Sequence, residues 1–221
     1  MGTTPPPGRD AVESPDLPTL SLEGSLADGV VTVRALGPDD VASLAASVPA
    51  GESAVWGPGP GPYSGDRAAG VVREYEEGRR SRLKAGFAAL DAGGSFVGGL
   101  VLQAGPPTLE PGTIAPAWLL SLLADGPRAV EAAYWTAPPA RGRGYATRGL
   151  RLLADWALET AGFRSVWLEV DPVNRVSLAV AAGAGFAPLG TLPGHCRDEP
   201  DQGPHDCRIL VRRGGEPAGR G

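Results

Sequence analysis

Tyr134-Trp135-Thr136-Ala137-Pro138-Pro139-Ala140-Arg141-Gly142-Arg143-Gly144-Tyr145-Ala146-Thr147 carries the chain from a strand, through a glycine turn, into a helix. Residues 129–135 have the composition of a strand, and Ala137-Pro138-Pro139 ends it because proline has no ladder donor. Beyond the turn, Ala146, Leu150, Leu153 and Ala157 recur at steps of four, three and four, which places them on one helical face. Arg148, Arg151, Asp155 and Glu159 fall on the opposite face, and Gly162 supplies a C-terminal stop. Residues 165–170 are apolar almost throughout, as a buried strand is. Strand, helix and strand then make a βαβ unit with a right-handed crossover. The fold class is α/β.

The turn within that unit is suited to an anion. The first turn of a helix leaves backbone N–H groups unbonded, and the helix dipole favours negative charge there. Gly142 and Gly144 let the chain bend closely around a ligand, Ala146 is small enough to admit phosphates, and Arg141 and Arg143 can add charge-assisted contacts. A P-loop is excluded because Gly-Lys-Ser/Thr is absent. The dinucleotide fingerprint fails at its third glycine, since residue 147 is Thr. Taken alone, the six residues also fit a tight turn that happens to hold two glycines and two arginines.

Neighbouring residues add to this. Arg141-x-x-Gly144-x-Ala146 resembles the Q/R-x-x-G-x-G/A signature of the GCN5-related N-acetyltransferase (GNAT) superfamily. With Tyr134-Trp135-Thr136-Ala137-Pro138 before it, and Asn174-x-x-Ser177 then Gly185-Phe186 after it, the stretch 129–190 is similar to the branch that includes the ribosomal-protein alanine N-acetyltransferases. The resemblance implies a single α/β (α+β) domain with a mixed, strongly twisted sheet of about six to seven strands flanked by helices. Two central parallel strands, ending near Thr136 and Val170, would splay into a V that admits the pantetheine arm of acetyl-CoA. It further implies that main-chain groups of Trp135, Thr136 and Ala137 bind that arm like an added strand. Arg141, Gly142, Arg143, Gly144, Tyr145, Ala146 and Thr147 would hold the pyrophosphate, and Asn174 would contact the cofactor from the next helix. Arg148, where the branch commonly has an acidic residue, and Gly149, within the helix, depart from the pattern.

The remaining chain is consistent with one domain, since 221 residues suit one well-filled core. Residues 1–28 are rich in Pro, Gly, Ser, Thr and acid and are expected to form a flexible tail, with the domain over 29–213 and a second tail over 214–221. Residues 30–34 read as a strand, followed by a helix capped by Asp39 or Asp40 that presents Val41, Leu44 and Val48. Residues 56–63, dense in Gly and Pro, can only be loop. A helix over 66–83 buries Ala68, Val71, Val72 and Tyr75, and 85–90 with 95–103 form a hairpin around Asp91-Ala92-Gly93-Gly94. For 114–123 a short helix and an extra strand fit equally. Asn174 caps an Ala-rich helix ended by Gly183 and Gly185, and strands begin at Phe186 and over 207–212.

A net charge of -5 and a pI near 5.1 argue against a nucleic-acid-binding surface. No signal segment is legible at the start, and the most apolar stretch, 114–124, is broken by Pro116 and far too short to span a bilayer. A cytoplasmic monomer or homodimer without membrane attachment is expected. His195-Cys196 and His205-Asp206-Cys207 invite a zinc reading, but adjacent ligands strain a tetrahedral site; no metal is expected, and two ordinary cysteines are the preferred reading over a disulfide.

Acetyl transfer needs a base for the amine, donors for the oxyanion and help for the departing thiol. A main-chain N–H near Thr136 is the oxyanion donor that the resemblance implies. Glu131, on the strand leading into the site, is the candidate base, although a salt-bridged strand carboxylate fits the position as well. Ser177 is the candidate partner of the thiol, against a reading in which it only completes the cap with Asn174. Tyr145 is a weaker candidate acid, and the tyrosine that many relatives place after Gly-Phe is absent, Ala187-Pro188-Leu189 standing there. The acceptor, a small-molecule amine or a protein N-terminus, should meet residues 49–65 and 191–206, which hold Trp56, Tyr63, His195 and Asp198. An acyl-CoA-binding module with little or no turnover is the alternative function.

Overall fold

The computed structural model describes residues 17–48, 63–109, 113–196 and 205–215. Its sheet is built outward from the hairpin of β3 (Lys84–Asp91) and β4 (Phe96–Ala104). Asp91 closes the turn by accepting N–H bonds from Gly93 at 3.0 Å and Ser95 at 2.9 Å on one carboxylate oxygen. On one side β2 (Val31–Ala35) and β1 (Ser25–Ala27) extend the sheet antiparallel. On the other come β5 (Ala129–Thr136), β6 (Ser165–Val170), β8 (His205–Arg213) and β7 (Ala187–Cys196). The order is β1-β2-β3-β4-β5-β6-β8-β7, and only the β5/β6 pair is parallel, because α4 (Tyr145–Glu159) connects these two strands.

Strand alternation divides the apolar residues between two helical layers. Val33, Phe87, Leu100 and Ala132 join Leu150, Leu153 and Ala157 of α4 in the larger core. Ala88, Val101 and Ala133 face the other way, into a core with α1 (Val41–Ser47) and α2 (Gly65–Arg80). There Ala68, Val71, Val72 and Tyr75 are buried, as their spacing predicts. A third cluster joins Trp167, Ile209 and Val211 to Leu119 and Leu122 at α3 (Leu120–Asp125). The last helix, α5 (Arg175–Gly183), follows β6. Among the described residues no helix is long and apolar enough to cross a membrane.

Several expectations need correction. The sheet has eight strands, not six or seven. The addition is β1, which lies within the stretch expected to be tail, where Leu20 is fully buried and the Thr19 N–H bonds the Ala161 carbonyl at 2.9 Å. Of the two readings of segment 114–123 the helical one is found, a 3-10 turn running into α3, whereas α2 ends at Arg80, short of Leu83, which is exposed. Asp40 bonds the Gly37 N–H at 2.9 Å and pairs with Arg34 at 2.7 Å, so it secures the turn before α1 without a side-chain bond into the helix. Cys207 is fully buried and disulfide-bonded, contrary to the reading of two ordinary cysteines. The sheet makes β7 and β8 neighbours, with the Cys196 backbone opposite His205.

Candidate functional site

Parallel pairing of β5 with β6 stops after Ala129 opposite Ser165, Val130 opposite Val166 and Glu131 opposite Trp167. Beyond this point β5 stays with β4 as far as Thr136, and β6 stays with β8 as far as Val170. The two strands therefore part, and the facing edges lose their ladder. The Ala137 N–H bonds the Val97 carbonyl at 2.9 Å, so its donor is turned toward β4 and is not open to a ligand strand. By alternation Trp135 turns the same way, while the backbone groups of Tyr134 and Thr136 face the opening. The Trp135 indole lies on the opposite sheet face, over Gly99: a Cβ there would come within 2.0 Å of the ring.

At the wide end of the opening the turn is built as the sequence predicts. Gly142 has φ +75° and Gly144 φ +77°, in the left-handed region, and Gly144 is the N-cap of α4. A Cβ added to either would meet nothing within 4 Å, so backbone conformation, not crowding, selects glycine, and the space beside them is open. The helical ladder begins with Arg148 N–H to Gly144 O at 3.2 Å, which leaves the Tyr145, Ala146 and Thr147 N–H groups as the first-turn donors. Arg141 and Arg143 are exposed, and Arg141 Nε donates to the Thr136 carbonyl at 3.2 Å. Tyr145 and Ala146 line one narrow gap with Tyr134 and Thr136. A Cβ added to Gly183 of α5 would come within 2.9 Å of the Thr147 methyl, so glycine there lets α4 and α5 approach closely. Arg148 pairs with Asp28 at 2.7 Å in the turn before β2. The Val31 N–H, aided by Arg148, brings that carboxyl down to about 2.

At the narrow end stands Glu131. It is 8% exposed, its Oε1 has no hydrogen-bond partner, and it belongs to a cross-strand row running Lys84, Gln103, Glu131, Trp167. Burial, with Glu169 alongside, pushes its carboxyl up to about 8, and Lys84 offsets this only in part. Glu131 lines a cavity of about 200 Å³ with Gln103, Thr108, Trp167, Glu169 and His195. His195 Nε2 lies 3.3 Å from Glu169 Oε1. On the α4 side of the opening, Asn174 Oδ1 accepts the Ser177 N–H at 2.9 Å and caps α5, and the Ser177 hydroxyl sits 2.7 Å from the Tyr134 phenol.

The acetyltransferase (GNAT) domain family model matches residues 31–187. The chain belongs to the GNAT acetyltransferase family. Solved structures share its fold at low identity. The ribosomal-protein-S5-alanine acetyltransferase from Vibrio fischeri superposes with a TM-score of 0.62 at 14% identity, over 86% of this chain and 97% of that one. RimJ from Mycobacterium smegmatis, solved with CoA-disulfide, gives 0.63 at 20% identity over 86% of each chain. A chimera of the spermidine N-acetyltransferase SpeG from Vibrio cholerae and hSSAT gives 0.58 at 18%, over 83% and 95%. No curated protein matches the chain in sequence.

In this GNAT domain the expected site residues fall into two groups along β5: Glu131 lines the cavity with His195, and Trp135, Thr136, Tyr145 and Ala146 line the gap at the turn. The Ala137 donor is used within the sheet, the Asn174 carbonyl is committed to the cap, and the Glu131 carboxyl has no ion-pair partner at salt-bridge distance among the described residues. Of the acceptor candidates, His195 reaches the cavity. Tyr63 is buried in the α1/α2 core with Arg67 4.6 Å above its ring, so it is a packing residue. Trp56 and Asp198 lie outside the described residues. Sequence reasoning missed Glu169 and Tyr134. Glu169 lies two residues beyond Trp167 on the same strand face, and that spacing was its only signal.

Proposed function

We propose that this GNAT protein is an N-acetyltransferase that moves the acetyl group of acetyl-CoA to a primary amine by direct attack in a ternary complex. The observation that supports this best is the parting of β5 from β6, with first-turn N–H donors at its wide end and a buried, unbonded carboxyl at its narrow end. The residues fit CoA: Gly142 and Gly144 leave open space beside the donors, and Arg141 and Arg143 are exposed to supply charge. Bound acetyl-CoA would bring an activated thioester to the opening. The chain's part is to position it and to handle charge and protons.

The Thr136 N–H, directed into the opening, is placed to meet the oxyanion that develops on the acetyl group. Glu131 takes the amine proton through water. A carboxyl at about 8 is a far better match to an alkyl ammonium than an ordinary carboxylate, at the expense of being mostly protonated at neutral pH. The cavity beside it, with Glu169 as a second carboxylate, suits an acceptor that arrives as a cation. Solved relatives are named for acetylation of a ribosomal-protein alanine and of spermidine, which keeps both a protein N-terminus and a small amine in view. Ser177 faces the thiol. The absence of a tyrosine after Phe186 favours a second reading, an acyl-CoA-binding module without turnover.

Two measurements test this. CoA at a hundredfold excess over its dissociation constant should stabilise the protein by about 2.7 kcal/mol and raise Tm; an unchanged Tm would remove CoA from the proposal. Thiol release from acetyl-CoA with peptide, polyamine and aminoglycoside panels should follow. Cofactor binding with no release for any amine would leave the binding module.

A further inference from the structure

We infer that Tyr134 is a positioning residue for departure of the thiol, setting the direction in which the Ser177 hydroxyl donates its hydrogen bond. This rests on the reading of Ser177 as the thiol partner. Tyr134 lies three residues past Glu131, where β5 has already left β6, and it pairs in register with Leu100 on the sheet face that meets α4. From there its phenol reaches across to the first turn of α5. The phenol oxygen is 2.7 Å from Ser177 Oγ and 3.1 Å from the Ser177 carbonyl.

A phenol has one proton and so cannot donate to both acceptors fully. If it donates to the Ser177 carbonyl, the serine hydroxyl is left to donate back to the phenol, and the protein satisfies itself. If it donates to Ser177 Oγ, the serine proton is free to point elsewhere. Sulfur gaining negative charge beside Ser177 selects the second arrangement, because a charge-assisted bond is stronger than a neutral one and each bond in the chain polarises the next. Burial raises the Tyr134 hydroxyl above its ordinary value, with the Ser177 bond acting against this, so the phenol stays a donor at working pH. Tyr145 and Ala146 line the same gap as Tyr134, which places the device beside the pyrophosphate turn.

The step balances without moving a proton from either hydroxyl. The C–S bond breaks, its electron pair remains on sulfur, and CoA leaves as a thiolate held by a Tyr134-to-Ser177-to-sulfur chain. The amine nitrogen bonds to the acetyl carbon as the C–S bond breaks, and an acceptor that arrives as a cation gives up two protons, one before attack and one after, which pass in turn through Glu131 to solvent. An ordinary thiol is more acidic than a phenol, so full transfer from Tyr134 would run uphill.

CoA itself is the probe. Ultraviolet titration of the thiolate of CoA bound to the full chain should show ionisation at lower pH in wild type than in Tyr134→Phe or Ser177→Ala. The shift should be about one unit or more, matching a tenfold or larger loss in kcat with any amine that supports turnover. KM for acetyl-CoA should stay within a few fold. The double variant should lose no more than the worse single variant, because the two hydroxyls act in series. Retention of the CoA-induced Tm shift shows that each variant is folded and binds. An unchanged thiol titration in Tyr134→Phe, or losses that add fully in the double variant, would overturn the inference and leave the proposed function standing. A wild-type protein that CoA does not stabilise would overturn both.

Discussion

Glu131→Gln should make the protein more stable and less active at the same time. Glutamine has the shape of a protonated glutamate but no pKa. In wild type the carboxyl moves from 4.5 when unfolded to about 8 when folded, so the folded state holds its proton more tightly. The stability linked to that proton is fully present below pH 4.5 and is lost as pH rises to about 8, at 1.36 kcal/mol per pH unit. From 4.5 to pH 7 the loss is about 3 kcal/mol, an upper figure because the site can relax or hydrate as it ionises. The variant escapes it. Urea unfolding of both proteins at pH 5, 7 and 8.5 should show near-equal stability at pH 5, then a widening gap that favours Glu131→Gln and stops growing above about pH 8. Thiol release should fall about 10²- to 10⁴-fold. In wild type kcat/KM should rise with pH up to about 8, where the base becomes ionised. A gap that does not vary with pH, or a variant less stable throughout, would refute the placement of a protonated carboxyl at the end of the β5/β6 pairing.

Other outcomes follow from named contacts. Glu169→Gln removes a charge that raises the Glu131 carboxyl, so the rising limb of kcat/KM should move to lower pH; an unmoved limb would separate the two groups. Gly144→Val forces a β-branched residue to φ +77°, a strain of about 1–2 kcal/mol, and should abolish the Tm shift by CoA while circular dichroism stays native. Gly99→Ala would drive a methyl into the Trp135 ring, and a loss of about 1–3 kcal/mol in urea unfolding is expected. Gly149→Ala goes the other way. Its Cβ would sit 3.4 Å from a Leu100 methyl, an ordinary contact, so the gain in helix propensity of about 1 kcal/mol should appear as a Tm higher by about 2–4 °C.

The βαβ unit and its turn were legible because their signals are local. Leu150, Leu153 and Ala157 repeat at the helical period, and Gly142 and Gly144 adopt the left-handed backbone that glycine permits. Asn174 capping α5 was likewise readable from three adjacent positions. What escaped depends on contacts distant in sequence. Tyr134 and Ser177 are 43 residues apart, and no periodicity in either segment announces their bond. Glu131 could be placed on its strand, but the cavity it lines is shared with Trp167 and the loop at Gly105, both distant in sequence and joined by an indole N–H bond of 2.9 Å. Strand β1 has only Leu26 partly buried across its three residues, too short a pattern to alternate. Segment 114–123 was ambiguous because apolar residues surround its axis, including an exposed Ile114.

The seam between β5 and β6 has a mechanical meaning as well. Five strands on one side and three on the other each have their own antiparallel ladder, and three parallel rungs join them. Helix α4 packs on strands of both blocks, β2 to β5 and β6, and so acts as the splint across the joint. Because the turn at Gly144 is the head of that same helix, the proposed anion site and the element that bridges the two blocks are one continuous stretch of chain.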